Sequence, residues 1–185
     1  SFTPASGSAL VAFVWLSGAG SLVGVTMSDT AGGNDTWTEV STGTYQGGDD
    51  CGMRAFVLLN AASTSTTVRA TFGASVAYPA LAVVEVTGIQ TSSAVAGQAL
   101  NSQGAPGTSA DGVTSGNTGT LSGQPAAIIV GTQNTWTDST PAVGTGYTSI
   151  GTGWDYGGGT PGARFEHKRV TSTSAVAGTF TAGTN

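Results

Sequence analysis

Ser8-Ala9-Leu10-Val11-Ala12-Phe13-Val14-Trp15-Leu16 decides the fold class. The run carries no charge, is rich in branched and aromatic side chains, and has the length of a strand buried on both faces. A Gly-rich turn, Ser17 to Gly20, closes it. The next segment, Ser21 to Ser28, reads as a strand with Leu22 and Val25 as core candidates. Asp29 to Asp35 is a turn cluster in which Gly32 and Gly33 can take positive φ. Thr36 to Val40 then reads as the return arm of a hairpin.

The same grammar continues. Gly43 to Gly52 is a polar loop, and Met53 to Leu59 is a buried strand. Thr66 to Phe72 alternates, with Val68, Ala70 and Phe72 on one face. Tyr78-Pro79 predicts an extended entry into Leu81 to Val86, the most strand-like run of all. Ser92 to Gly123 reads as a long loop with one weak strand around Val113 to Thr120. Ala126 to Val130 is a core strand, Asn134 to Gly162 is turn-rich, and strands follow at Arg164 to Val170 and Val176 to Phe180. No segment keeps helical periodicity beyond about two turns. About nine or ten short strands between turn signals predict an all-β, antiparallel, jelly-roll-like β-sandwich, with residues 1–185 as a single domain. No fixed repeat is visible, although the two halves share a plan of buried run, turn and alternating strand.

Composition narrows the function. Charged residues are 8% of the 185, against roughly 25% in ordinary soluble domains. Gly, Ala, Ser and Thr make up more than half the chain, which excludes a coiled coil. Five basic residues against ten acidic ones cannot neutralise many phosphates, so nucleic acid is not an expected partner. Apolar residues reach 38% and gather in strand-length runs, which argues against disorder. No apolar run is long enough for a membrane span. The single cysteine, Cys51, rules out an internal disulfide framework. The start at Ser1, without Met or signal peptide, is that of a processed, trimmed or partial chain.

Three stretches carry a resemblance. They are Phe2-Thr3-Pro4 leading into Ser8 to Phe13, Val25 to Thr30 running to Thr36-Trp37, and Tyr78 to Gly88. Together they resemble Gly/Ser/Thr/Ala-rich β-sandwich modules of tailed-bacteriophage virion proteins, of decoration and fibre type, and of large secreted bacterial proteins. The first half resembles them in sequence, the second mainly in pattern. The motifs are strand patterns, and no functional residue transfers. Such modules usually carry a strand before the position of Phe2 and a final apolar strand after that of Phe180. The resemblance therefore implies a longer chain or edges completed by a neighbouring subunit.

Catalytic signals are sparse. A triad would have to use His167, the single histidine, and no G-x-S-x-G elbow occurs. The plainer reading is a half-exposed strand histidine beside Glu166. Glu39, Glu85, Asp49 and Asp50 are glycosidase carboxylates by type alone. Glu85, inside an apolar run, calls for a partner such as Arg54 or Arg69. Gly157-Gly158-Gly159-Thr160-Pro161-Gly162 matches G-x-G-x-x-G, but Pro161 and the following strand contradict the helix that a dinucleotide site needs. Cys51, Met53 and His167 lack the spacing of a copper site. The acids suit calcium better: Asp29, Asn34, Asp35, Asp49 and Asp50 crowd two Gly-rich turns, where they either ligate the ion or cap their own backbone.

Two clusters stand out. Trp136, Tyr147, Trp154 and Tyr156 lie in turn-rich sequence, flanked by Asn134, Asp138 and Asp155. They read either as a stacking platform for glycans or a protein partner, or as rings covering the open end of the sandwich. Trp15 and Trp37 read as core. Arg164, Lys168 and Arg169 are three of the five cations within six residues. They read as a docking patch for an acidic partner or as a charged edge strand. The expectation is a non-enzymatic structural module of a virion or the cell exterior, homo-oligomeric and bound to a capsid, tail or similar assembly. A carbohydrate-binding module, with surface glycans as partners, is the alternative.

Overall fold

The computed structural model describes residues 1–17, 22–30, 36–40, 51–64, 66–90, 94–99, 113–115, 117–122, 125–133, 141–152 and 163–180. Among them there is no helix, and the strands pair antiparallel. The fold is all-β. In chain order the strands are β1 (Ala9–Ser17), β2 (Thr26–Asp29), β3 (Thr38–Glu39), β4 (Cys51–Leu58), β5 (Val68–Thr71) and β6 (Pro79–Val86). They continue with β7 (Val113–Thr114), β8 (Ala126–Gln133), β9 (Thr148–Ser149), β10 (Ala163–Val170) and β11 (Thr179–Phe180). The described residues fall into two compact units, one of those within 1–42 and 52–95 and one of Cys51 with those within 96–185.

In the first unit the four-stranded sheet runs β3-β4-β1-β6, and β2 pairs with β5 in a second layer. The opening run forms β1 as expected. It is central in its sheet, and Ala12 and Val14 are fully buried. Branched residues suit this position because their stiff χ1 costs little in a pleated, two-sided burial. One core joins both layers: Ala12, Val14, Leu16 and Phe56 from the large sheet, with Leu22, Val25, Met27, Ala70 and Phe72 from the β2–β5 side. Each fully buried large side chain contributes on the order of 1.5–3 kcal/mol. The reading of 36–40 as the return arm of a β2 hairpin is corrected. β3 pairs with β4 and β2 with β5, so the chain crosses between layers after β2.

In the second unit the order is β8-β10-β9, with β11 beside β7. This is the first unit again. Thr38 and Glu39 face Val57 and Phe56, while Thr148 and Ser149 face His167 and Glu166. Every partner is displaced by the same 110 positions (148 − 38 and 167 − 57). The next hydrogen bond repeats as well: Val40 N–H to Ala55 O at 3.0 Å, and Ile150 N–H to Phe165 O at 2.9 Å. In the other layer, Phe2 bridges Thr66 and Gly7 N–H bonds Ala61 O, as Ser115 N–H bonds Gly178 O and Leu121 N–H bonds Thr173 O. Thus β3, β4 and β1 correspond to β9, β10 and β8.

Candidate functional site

β10 holds most of the cations, and strand alternation sorts them. Arg164, Glu166 and Lys168 share one face, while Phe165, His167 and Arg169 share the other. The three cations therefore do not form one patch. β10 lies between β8 and β9, but β9 reaches only Glu166 and His167, so Lys168 and Arg169 have β8 alone as a strand neighbour among the described residues. Arg164 donates to Thr152 O at 2.5 Å. Lys168 Nζ sits 5.3 Å from the centroid of the Tyr147 ring, a cation–π distance. Arg169 and His167 are exposed.

Glu166 is completely buried. Its Oε2 accepts the Gly144 N–H at 2.8 Å, while Oε1 is buried with no hydrogen-bond partner. Burial pushes the carboxyl pKa above its ordinary value, and the backbone amides of Gly144 and Thr179 pull it only part of the way back. Gly144 lies so close to Thr179 that a Cβ there would collide with the Thr179 carbonyl, which makes glycine a requirement. Tyr147 adds its hydroxyl to Ala177 O at 2.7 Å. Its own pKa is raised, first by burial and then by the Glu166 charge. Tyr147 is thus tied to the layer below it and faced by Lys168, the arrangement of a covering ring. Trp37, its counterpart in the first unit, likewise donates Nε1–H to Asp29 Oδ2 at 2.9 Å. Trp136, Trp154 and Tyr156 lie outside the described residues, as do Asn134, Asp138, Asp155 and the Gly157 to Gly162 match.

The remaining acids have structural partners. Glu39 pairs with Arg54 at 2.8 Å, with both side chains partly exposed. Glu85 is exposed on β6 and accepts the Ala5 N–H at 2.6 Å, so the expected partnership with Arg54 or Arg69 is corrected. Alternation turns Glu85 outward from an otherwise apolar strand. Of the calcium candidates, Asp29 takes the Trp37 indole bond; Asn34, Asp35, Asp49 and Asp50 lie outside the described residues. Among the described residues no three His, Cys, Asp or Glu side chains gather as metal ligands. No helix there is long and apolar enough to cross a membrane.

The exposed feature that sequence reading missed lies at one end of the first unit. Tyr78 is 66% exposed and Val23 72% exposed. β2 begins at Thr26 opposite Thr71, and β6 begins at Pro79 opposite Leu16. The turns bearing Val23 and Tyr78 therefore emerge at the same end, and Gly73 lies against the Val23 carbonyl. Tyr78 has φ of 47°, where the residue before proline was expected to be extended. The bend at 77–78 that feeds β6 forces this left-handed conformation, which costs on the order of 1 kcal/mol or more for a bulky side chain. The signal in sequence was an aromatic directly before proline at a strand entry.

No family model, curated protein or solved structure matches the chain.

Proposed function

We propose that the chain is a non-enzymatic structural and interaction module of a larger assembly on a virion or the cell exterior. The observation that carries this reading is the exposure of Val23 and Tyr78, two large side chains in the turns that lead into β2 and β6, the second on a strained backbone. Strain held at an exposed aromatic marks a residue positioned for contact. The potential acid–base groups give further support. Among the described residues, Glu39, Glu85, Asp29 and Glu166 each serve a structural bond. The neutral Thr- and Ser-rich strand surface fits a passive scaffold that works through localised contacts, and homo-oligomerisation is the simplest such contact. The carbohydrate-binding alternative loses Tyr147, whose ring and hydroxyl are already engaged.

Mass in solution across a concentration series tests the reading. Self-association is expected, weakened about tenfold by Tyr78→Ser with Val23→Ser at unchanged melting temperature, the scale of two lost apolar anchors. A strict monomer at all concentrations that fails to bind intact particles counts against it. Retention on polysaccharide unaffected by Tyr78→Ser would favour the glycan alternative.

A further inference from the structure

The duplication of the fold exposes a difference between the units. In the first, β1 is flanked on both sides, by β4 and by β6, with β6 pairing antiparallel over eight positions from Ala9–Val86 to Leu16–Pro79. In the second, β8 corresponds to β1 and pairs with β10 over eight positions, from Ala163–Gln133 to Val170–Ala126. Among the described residues no strand pairs with its other side. Burial follows the same difference. Ala9, Leu10 and Ala12 through Leu16 are buried on β1. On β8 only Val130 and Thr132 are buried, Ile128 and Ile129 are half-buried, and Ala127 is exposed.

The β8 sequence has none of the features that protect an edge. Ala126-Ala127-Ile128-Ile129-Val130-Gly131-Thr132-Gln133 contains no charge and no proline. Natural edges are usually blunted by Lys, Pro or bulges. A neutral, half-buried edge whose outer backbone donors and acceptors meet no strand among the described residues is a template for another strand.

We propose that the outer edge of β8 is a strand-acceptor site, filled by an extended segment of a partner chain that adds antiparallel as β6 adds to β1. The chemistry of that segment can be stated: about eight residues, alternating small and branched apolar side chains, one acid and no internal proline. β6 itself supplies the pattern, with Glu85 as its single charge. Charge complementarity gives the acid a place. Arg169 is exposed on β10 directly across from Ala127, which is small and exposed. A carboxylate on an incoming strand opposite Ala127 stands two strand spacings, roughly 10 Å, from the Arg169 backbone, within the joint reach of the two side chains over the alanine methyl. This deepens the assembly reading above, on which it rests, by naming a surface and a partner chemistry.

The test uses the whole chain, hydrogen exchange, and a synthetic peptide of Pro79 to Thr87, with a control peptide carrying Val84→Pro. In the free protein the β8 amides that do not face β10 should exchange fast. The peptide should slow them at least about tenfold, the proline peptide should not, and Arg169→Glu should weaken binding about threefold to tenfold, the size of a reversed exposed charge pair. Arg169 is exposed, and unchanged exchange at β10 checks that its variant folds. Three results overturn the proposal: β8 amides already slow in the free dilute chain, β8 protection that appears only with dimer mass at high concentration, or peptide binding that leaves β8 exchange unchanged. None of them touches self-association through Tyr78 and Val23, so failure here and failure of the assembly reading are separable.

Discussion

Glu166 stands in β10 where Phe56 stands in β4, and the two fill equivalent register positions with opposite chemistry. Phe56 is 4% exposed and belongs to the first unit's core. Glu166 is as deeply buried but brings a carboxyl, one oxygen bonded to Gly144 and the other without a partner. Because burial raises its pKa above 4.5, the native state holds this proton more tightly than the unfolded chain. Stability from this group is therefore greatest below the unfolded pKa and is lost as pH rises through the raised native one. Glu166→Gln removes the slope. The wild type should lose melting temperature relative to the variant as pH rises above the ordinary carboxyl value, and the variant should be more stable at neutral pH by about 1 kcal/mol. Parallel pH profiles for the two proteins would contradict the account. Gly144→Ala tests the other half of the contact. A methyl driven into the Thr179 carbonyl separates Glu166 from both amides, and the expected loss is about 2–4 kcal/mol, read by denaturant unfolding.

Elements were legible wherever burial is two-sided. β1, β4, β6, β8 and β10 are apolar or strongly alternating runs, and each appears within a few residues of its expected span. β9 was not legible. It has two residues in a turn-rich stretch, and it exists because Glu166 and His167 offer it a ladder. The duplication was legible only as a shared plan, because equivalent positions keep their place and not their residue type: Phe56 against Glu166, Val57 against His167, Trp37 against Tyr147. Glu166 was read as a neighbour of His167, since a carboxyl among Arg164, His167 and Lys168 looks solvated; its burial comes from Gly144 and Thr179, which are distant in sequence. The cation cluster divides for a different reason. Nearness along a strand is not nearness on a face, and a period of two splits Arg169 from Lys168. Arg54, equivalent to Arg164, makes the first unit's ion pair with Glu39 across β3 and β4. Both side chains are partly exposed, so a double-mutant cycle with Arg54→Ala and Glu39→Ala should give a coupling of about 0.2–1 kcal/mol that shrinks in high salt. A coupling above about 2 kcal/mol would mean that the pair is shielded from solvent.

For the whole molecule, scarce charge sets how copies meet each other. The net charge is −5 and the isoelectric point about 4.4. At neutral pH the net charge gives a modest repulsion between copies, and it vanishes as pH approaches the isoelectric point. Among the described residues, the exposed Val23 and Tyr78 side chains are then left without a repulsive field between copies. Association should rise steeply near pH 4.4, visible in light scattering. The fold should not weaken in parallel, since Glu166, with its pKa raised by burial, binds its proton more tightly in the native state and acid favours that state. Acid precipitation should accordingly be a meeting of folded molecules. Near-UV circular dichroism should stay native in the turbid range, and the precipitate should redissolve at neutral pH with its melting temperature restored. In Glu166→Gln the scattering curve should keep nearly the same midpoint, because one carboxylate among ten acids barely moves the isoelectric point, while the stability profile flattens. Loss of the near-UV signal at the onset of scattering would instead tie association to unfolding, and not to low charge on the folded molecule.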